Sequence, residues 1–327
     1  MKSRAFSPVP GFAKTIAAVA SGYLLAAAAL RAGDEFYITS VASVPGGLVV
    51  AWDGTPPRSI VARAAAPDKP YEFISDVVTG RVASVPPDGA SSVYRVQQVN
   101  VVYFPDVKLA AIVRAAITNK RAPSNEIYDI ETAPITSLNL VNRGIANLSG
   151  IEFTGLSAIN VSINQIATIE PLRGMPDLTR VDLFDNQISN LQPLAGLGHM
   201  TSLDFSFNQV ADLQPLTHLV ALTRLVGNAN QITSLQAIAG LTNLVALHAA
   251  DNLIGDLQPL LNLQQIKFAY LANNQIQHIS ALVDNAGVDA GDTIDLRGNP
   301  LSVKALNIDI PALTNRGVFV MYDINTP

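Results

Sequence analysis

The run Leu178-Thr-Arg-Val181-Asp-Leu183-Phe-Asp-Asn186-Gln-Ile188-Ser-Asn-Leu191-Gln-Pro-Leu194-Ala-Gly-Leu197 decides how this chain folds. Apolar residues stand at its positions 1, 4, 6, 11, 14, 17 and 20, with asparagine at position 9. The frame recurs at a fixed interval: Asn164, Asn186, Asn208, Asn230, Asn252 and Asn274 lie 22 residues apart without slippage. Such self-similarity marks units that stack, because no single unit can bury its own apolar face. An earlier copy, on Ile135, Leu138, Leu140 and Ile145, has Arg143 where asparagine is expected. A last copy, on Ile294, Leu296, Asn299 and Leu301, is displaced to 25 residues by an insertion between Asn285 and Asp292. Eight strand-bearing units are expected, seven near-regular and one terminal.

Each unit has a physical reading. Val181-Asp-Leu183 alternates inward and outward with the period of two that a strand requires. Asparagine follows at a bend, where its amide can satisfy backbone groups otherwise left unpaired; it is read as architecture, not as a ligand. Glu170-Pro171, Gln192-Pro193, Gln214-Pro215 and Gln258-Pro259 start short return turns, since proline tolerates a position whose N–H has no partner. The frame is that of a leucine-rich repeat. The fold class is a repeat solenoid with a parallel β-sheet on its concave face and short 3-10 or irregular turns on its convex face.

The 22-residue length, the Asn-Gln-Ile/Val tripeptide and the Gln-Pro-Leu turn resemble the internalin-like group of bacterial leucine-rich repeat proteins. The resemblance covers residues 101–327. Asp106 and the helical face Leu109, Ile112, Val113, Ala116 and Ile117 look like the helical N-cap of such arrays. Asp295-Leu-Arg-Gly-Asn-Pro-Leu301 is similar to their closing unit. The resemblance implies binding of a protein or carbohydrate at a cell surface, and it brings no catalytic residues.

The first third of the chain reads differently. Lys2, Arg4 and Lys14 precede an uncharged 16-residue run, Thr15 to Leu30, that ends among small residues. That order is a secretory signal over residues 1–32, the other reading being a retained anchor. Cleavage after Ala32 would remove four basic residues and no acid, leaving a net charge of −9. Residues 33–100 hold short β-rich runs, Leu48–Trp52, Ser59–Arg63, Gly80–Val85 and Val93–Val96, separated by proline-rich and glycine-rich turns. They predict a small all-β sandwich, with Trp52 in its core. Leu48-x-Val50-x-Trp52 and Tyr94-x-Val96 look like the second and sixth strands of a fibronectin type III domain, which implies a spacer. The expected organisation is therefore signal 1–32, sandwich 33–100, helical cap 101–134, repeats 135–290, and terminal repeat with C-cap 291–327.

Composition narrows the chemistry. Of 327 residues 49% are hydrophobic and 14% charged, with a net charge of −5, which excludes a disordered chain and gives nucleic acid nothing to bind. No cysteine is present, so disulfides, thiolate catalysis and zinc–thiolate sites are excluded. Motifs for nucleotide, zinc, calcium or serine-nucleophile chemistry are missing, and the four histidines are scattered. No cofactor, no metal and no enzyme activity are expected.

The outward strand positions remain. Arg180, Asp182, Phe184, Asp204, Phe207, Arg224, His248, Phe268 and Tyr270 fall at positions 3, 5, 7 and 8 of successive units. Exposed aromatics beside charges of both signs have the composition of an interface. They are the candidate partner-binding residues, for a protein or glycan partner, with tucked-in packing as the other reading. The expected function is an exported, non-enzymatic binding module at a cell surface, in the periplasm or outside the cell, without stable membrane insertion after signal removal. The alternative is a spacer or scaffold component of an envelope assembly. One irregularity stands out. Position 6 is Gly227 and then Ala249 in adjacent units, which would leave a void or draw neighbours inward.

Overall fold

The structure, a computed structural model, describes residues 13–18, 36–44, 47–54, 59–64, 72–73, 82–85, 92–118 and 126–323, with side chains from residue 99 onward. It divides into two compact units, residues 1–102 with 118–131, and residues 103–117 with 132–327.

Among the described residues, the first unit holds seven strands: β1 (Ala13–Ala18), β2 (Phe36–Val44), β3 (Gly47–Gly54), β4 (Ser59–Ala64), β5 (Glu72–Phe73), β6 (Val82–Val85) and β7 (Ser92–Gln98). They form two antiparallel sheets, β1-β7-β4-β5 and β2-β3-β6. Of the four runs read as strands, Leu48–Trp52, Ser59–Arg63 and Val93–Val96 lie within strands, as does Val82–Val85 of the other run, whose Gly80 and Arg81 lie outside the described residues. β2 and β5 were not anticipated, although Phe36-Tyr-Ile-Thr-Ser-Val-Ala-Ser-Val44 is rich in β-branched and aromatic residues. β1 lies inside the segment read as a signal. The remainder of that segment, with Lys2, Arg4 and the cleavage region around Ala32, and the side chain of Trp52 lie outside the described residues.

The second unit opens with helix α1 (Val107–Ala116), which buries Leu109 and Val113. Asp106 caps it as expected: Oδ1 accepts the N–H groups of Lys108 and Leu109, at 2.9 and 3.2 Å. Its Oδ2 accepts those of Ala146 and Asn147, tying the helix to the first repeat. Partial burial pushes the Asp106 carboxyl up, but these backbone donors outweigh it and hold the group below its ordinary value. A one-turn helix, α2 (Asp129–Thr132), belongs to the first unit except for Thr132, from which the second unit continues.

Eight strands then line up in one parallel sheet: β8 (Ala158–Asn160), β9 (Arg180–Asp182), β10 (Ser202–Asp204), β11 (Arg224–Val226), β12 (Ala246–His248), β13 (Phe268–Tyr270), β14 (Thr293–Asp295) and β15 (Phe319–Met321). Each repeat position faces its equivalent in the next strand. The apolar frame positions are buried in every unit from Leu156 to Leu282, and 3-10 turns close the opposite side at Glu170–Gly174, Gln192–Leu194, Gln214–Leu216, Gln236–Ile238 and Gln258–Leu260. This is the leucine-rich repeat solenoid that the frame predicts.

The set of strands differs from expectation at both ends. Leu138–Leu140 keeps the frame and buries Leu140, but forms no strand; its bend is closed by Asn164 of the next unit, whose Oδ1 accepts the N–H groups of Arg143 and Ile145. At the other end, β15 adds a strand that the period does not reveal. The helical segment ahead of it, a π-turn Ala305–Asp309 and helix α4 (Ile310–Asn315), replaces the usual 3-10 turn and hides the spacing. The 25-residue unit has a related cause. Helix α3 (Ser280–Asp284) replaces the 3-10 turn, and Asn285 takes the position 20 that Leu197, Leu219, Leu241 and Leu263 occupy in the preceding units. Asn285 is fully buried, donating to the carbonyls of Leu260 and Leu263 and accepting from Gly287 N–H. Gly287 is obligatory, because a Cβ there would overlap the backbone of Gln264.

Asparagine at position 9 does structural work in each unit from Asn164 to Asn299. The Asn186 Oδ1 accepts Ile166 N–H at 3.0 Å, and Nδ2 donates to the carbonyls of Val161, Leu183 and Phe184. Asn208, Asn230, Asn252 and Asn274 repeat the pattern one unit at a time. The bend that delivers this amide has a conformational cost. Position 8 is left-handed throughout: Asn142, Ile163, Asp185, Phe207, Ala229, Asp251 and Asn273 have φ between 52 and 58°. Asp and Asn tolerate that region; β-branched isoleucine does not. Replacing Ile163 by Asn is expected to stabilise the array by about 1 kcal/mol. Thermal melting checks it, with a rise of roughly 2–4 °C expected for a domain of this size.

Candidate functional site

Two residue columns run across the outer face of the sheet. Position 3 supplies Arg180, Ser202, Arg224, Ala246 and Phe268 on β9 to β13; position 5 supplies Asp182, Asp204, Val226, His248 and Tyr270. All nine candidate residues lie on or beside this face, because the fixed register repeats the same inside–outside alternation in every strand. Arg180, Arg224 and Phe268 are exposed; Asp182, Asp204, His248 and Tyr270 are half-buried.

The aromatic side chains meet in two places. Phe184, at position 7, meets Phe207, at position 8 of the next unit, edge to face with ring centroids 5.2 Å apart. Phe207 remains 54% exposed. It also stands in the left-handed bend with φ 55°, where the neighbouring units place Asp185, Ala229, Asp251 or Asn273. Beyond its edge contact with Phe184, a bulky ring held solvent-exposed in an unfavourable backbone region gains the fold little. The second cluster is His248 against Tyr270, with centroids 4.6 Å apart and rings tilted by 45°. Phe268 shares its strand and is 40% exposed. Two strand spacings, about 10 Å, separate β10 from β12 and thus one cluster from the other.

The charges are unequal in availability. Asp182 is tied to neighbours: Asn160 Nδ2 donates to Oδ2 at 3.0 Å, and Ser162 Oγ donates to Oδ1 at 2.7 Å. Asp204 accepts the backbone N–H of Ser206. Further along, Asp295 is buried and paired by both oxygens with Arg297, at 2.9 and 2.6 Å. Burial raises its carboxyl, but the guanidinium overrides this and holds it below the ordinary range. Asn160, Ser162 and Asn228 belong to the face and were not among the candidate binding residues. Asn228 Oδ1 accepts Ala250 N–H while its own N–H donates to Ser206 Oγ, continuing the ladder beyond the strand ends. Small polar residues at positions 5 and 7 were the available signal. Phe319, 62% exposed on β15, was missed with its strand.

His248 reports on this environment. Burial presses its pKa down, the nearby Arg224 charge presses it further, and Asp204 opposes both. Its midpoint is therefore expected below that of an ordinary histidine in an NMR titration. Arg224→Ala should raise that midpoint and Asp204→Asn should lower it. The linkage has one sign: the unfolded chain binds the proton first as pH falls below about 6.5, so this residue's contribution to stability declines with acidification.

The irregularity at Gly227 has a physical resolution. The ring of Phe205, from the preceding unit, fills the space: a Cβ on Gly227 would overlap Phe205 Cζ and lie 2.8 Å from Cε2. Phe205 is 1% exposed. The missing side chain thus accommodates an oversized one. An open groove of about 580 Å³ lies instead at the strand entrances, lined by residues including Thr223, Asn243, Val245 and Gln264. Among the described residues no three His, Asp or Glu side chains come together to hold a metal, and no helix is long and apolar enough to cross a membrane.

With this geometry in place, the chain can be set beside known proteins. It is 29% identical to internalin C2 from Listeria monocytogenes, with a TM-score of 0.58 over 67% of this chain and 94% of that one. An internalin, InlF, from the same organism is 22% identical, with a TM-score of 0.34 over 67% of this chain and 91% of that one. A leucine-rich repeat protein of Leptospira interrogans is 19% identical, with a TM-score of 0.43 over 54% and 50% of the respective chains. No family model matches the sequence. No curated protein matches it.

Proposed function

From an internalin-like leucine-rich repeat array with exposed rings at fixed intervals, we propose an exported, non-enzymatic module that binds a protein partner through the sheet face. The observation that carries the reading is Phe207. Its ring is exposed, its backbone is strained, and a smaller polar residue would suit the bend better. Binding is the reason to retain such a residue, since rigid aromatics concentrate interface energy. Phe184 supports it from the side; His248, Tyr270 and Phe268 make a second anchor, and Arg180, Arg224, Asp182 and Asp204 set the charge pattern. Stacked repeats hold these groups in place before the partner arrives, which reduces the ordering cost of association. The N-terminal leader supplies export, and the β-rich first unit serves as a fibronectin type III-like spacer.

The test pairs a stability readout with a binding readout. Phe207→Asn is expected to raise the melting temperature while weakening capture of the partner at least tenfold, a loss of about 1.4 kcal/mol. The triple variant Phe184→Ala/Asp204→Ala/Tyr270→Ala should abolish capture from envelope and extracellular fractions with an unchanged circular dichroism spectrum. Ile163→Asn, relieving the same bend two units earlier, should leave binding intact. Equal capture by native and triple variant would reject the face as the site. The chain would then be a scaffold component that makes its contacts elsewhere.

A further inference from the structure

The edge at which the chain enters each strand changes character partway along the solenoid. At position 22, Asp177 and His199 give way to Ala221, Asn243 and Gln265; at position 21, Gly198 and Val220 give way to Thr242 and Gln264. Position 2 changes with them. The hydroxyls of Thr179, Thr201 and Thr223 each donate to a carbonyl of the unit before, at 3.0, 3.1 and 3.1 Å, and Val245 ends that ladder. The open groove of about 580 Å³ lies where these changes coincide, a size that falls within the roughly 300–1,000 Å³ of small-molecule sites.

None of the residues lining the groove is charged. Asn243 is anchored by one bond, from Nδ2 to the Val220 carbonyl at 2.9 Å, which leaves Oδ1 and the second amide hydrogen for a ligand. Among the described residues, the side chains of Thr242, Asn262, Gln264 and Gln265 have no hydrogen-bond partner. Lys267, two residues beyond this wall, is engaged by buried Asp292 at 3.4 Å. The wall is also braced from behind. Asn285 donates to the Leu263 carbonyl, and Gly287 lies against the Gln264 backbone with no room for a Cβ. The insertion that lengthens this unit therefore fixes the backbone carrying both glutamines. Phe268 borders the groove: its N–H donates to the Val245 carbonyl at 3.1 Å. Ala246 and Thr293, its neighbours across the ladder, are small and leave its ring 40% exposed.

We infer that this groove is a binding site for a neutral saccharide. Carboxamides and hydroxyls donate and accept at once, as sugar hydroxyls do, so each can pair with the other in either sense. An apolar ligand would leave the amides unpaired, and an anionic one would find no charge to offset its own. The exposed Phe268 ring offers a flat surface to the C–H face of a pyranose. The groove crosses three units, two strand spacings or about 10 Å, which suits a disaccharide segment. Each sugar hydrogen bond replaces one to water and gains little by itself; the braced wall matters because it lowers the ordering cost. This site is separate from the sheet face proposed for a protein partner, although Phe268 serves both.

The test uses the full chain, with cellotriose, maltotriose and chitotriose as neutral probes and trigalacturonate as a charged one. In heteronuclear NMR spectra the side-chain amides of Asn243, Asn262, Gln264 and Gln265 should shift with at least one neutral probe, with a Kd of about 1 mM or below. Gln264→Ala/Gln265→Ala should weaken that binding about tenfold or more and leave melting unchanged, since both residues are exposed. Phe268→Ala should weaken it by a similar factor. Ala221→Phe, which fills the groove, should abolish it; the glutamine pair decides should that variant misfold. The triple variant Phe184→Ala/Asp204→Ala/Tyr270→Ala should bind sugar as the native chain does, so that the groove and the sheet face stand or fall separately. The inference is overturned by no shift with any neutral probe up to about 10 mM, or by tighter binding of trigalacturonate. Unchanged affinity in the glutamine pair, in Phe268→Ala or in a folded Ala221→Phe, or loss of sugar binding in the sheet-face triple, would overturn it equally.

Discussion

Gly227→Leu is expected to destabilise the array by about 3 kcal/mol, because it overfills a space that Phe205 already occupies. The obvious expectation is the reverse: leucine restores the repeat consensus at position 6, as in Leu183 and Leu271. Consensus and packing disagree here because Phe205 and Gly227 form a size-matched pair across adjacent units. Phe205→Leu alone removes ring volume from a fully buried site and should cost about 1–2 kcal/mol. The double variant Phe205→Leu/Gly227→Leu should be more stable than Gly227→Leu, with a coupling energy of roughly 1–3 kcal/mol. Urea titration followed by circular dichroism measures all four proteins. The fluorescence of Trp52, the chain's sole tryptophan, reports on the other unit and is the wrong probe. Because repeats are coupled only to their neighbours, a defect between β10 and β11 should also split one transition into two. Additive costs in the double variant would mean that Phe205 does not occupy the Gly227 space.

Asn252→Leu should be costlier still, at about 3–5 kcal/mol, because it strands several buried backbone groups at once. The side chain is 6% exposed; it accepts Ile232 N–H at 2.9 Å and donates to the carbonyls of Gly227, Ala249 and Ala250. Leucine satisfies none of them. Asn252→Asp tests the direction of bonding: a carboxylate could still accept from Ile232, but it would oppose three carbonyl oxygens and bury a charge. It should be no more stable than the leucine variant at pH 7 and should recover in part near pH 4, where protonation restores a donor. The same melts check both. A cost below 1 kcal/mol for either variant would show that the bends close without the amide.

The middle of the array was legible because every frame position has one burial outcome. Leu178, Val181, Leu183, Ile188, Leu191, Leu194 and Leu197 are all buried, and the next units repeat them. Both ends were harder to read, for the same reason: a terminal unit has one stacking neighbour and can depart from the frame. Arg143 replaces asparagine without a strand forming, and β15 follows a helical detour that no 22-residue period announces. The candidate face was legible as a set of columns, but not as contacts. Sequence spacing aligns Phe184 with its own unit, whereas its ring meets Phe207 of the next, and Asp182 is engaged by Asn160 and Ser162 from the unit before. Such pairings depend on where side chains lean between strands, which periodicity does not encode. The bend was also hidden, since seven residues of five different types share one left-handed conformation at position 8.

The asparagine ladder has a mechanical consequence. Each amide bridges only to the unit before it, and each three-residue strand pairs only with its immediate neighbours. Tension applied at the two ends of the solenoid therefore meets its latches in series, one after another, and never all at once. Units should peel singly, each releasing 22 residues, or about 7–8 nm of contour length at full extension. Under load the array behaves as a ratcheted tether: it yields in equal steps from whichever end opens, while the repeats still stacked keep their face intact.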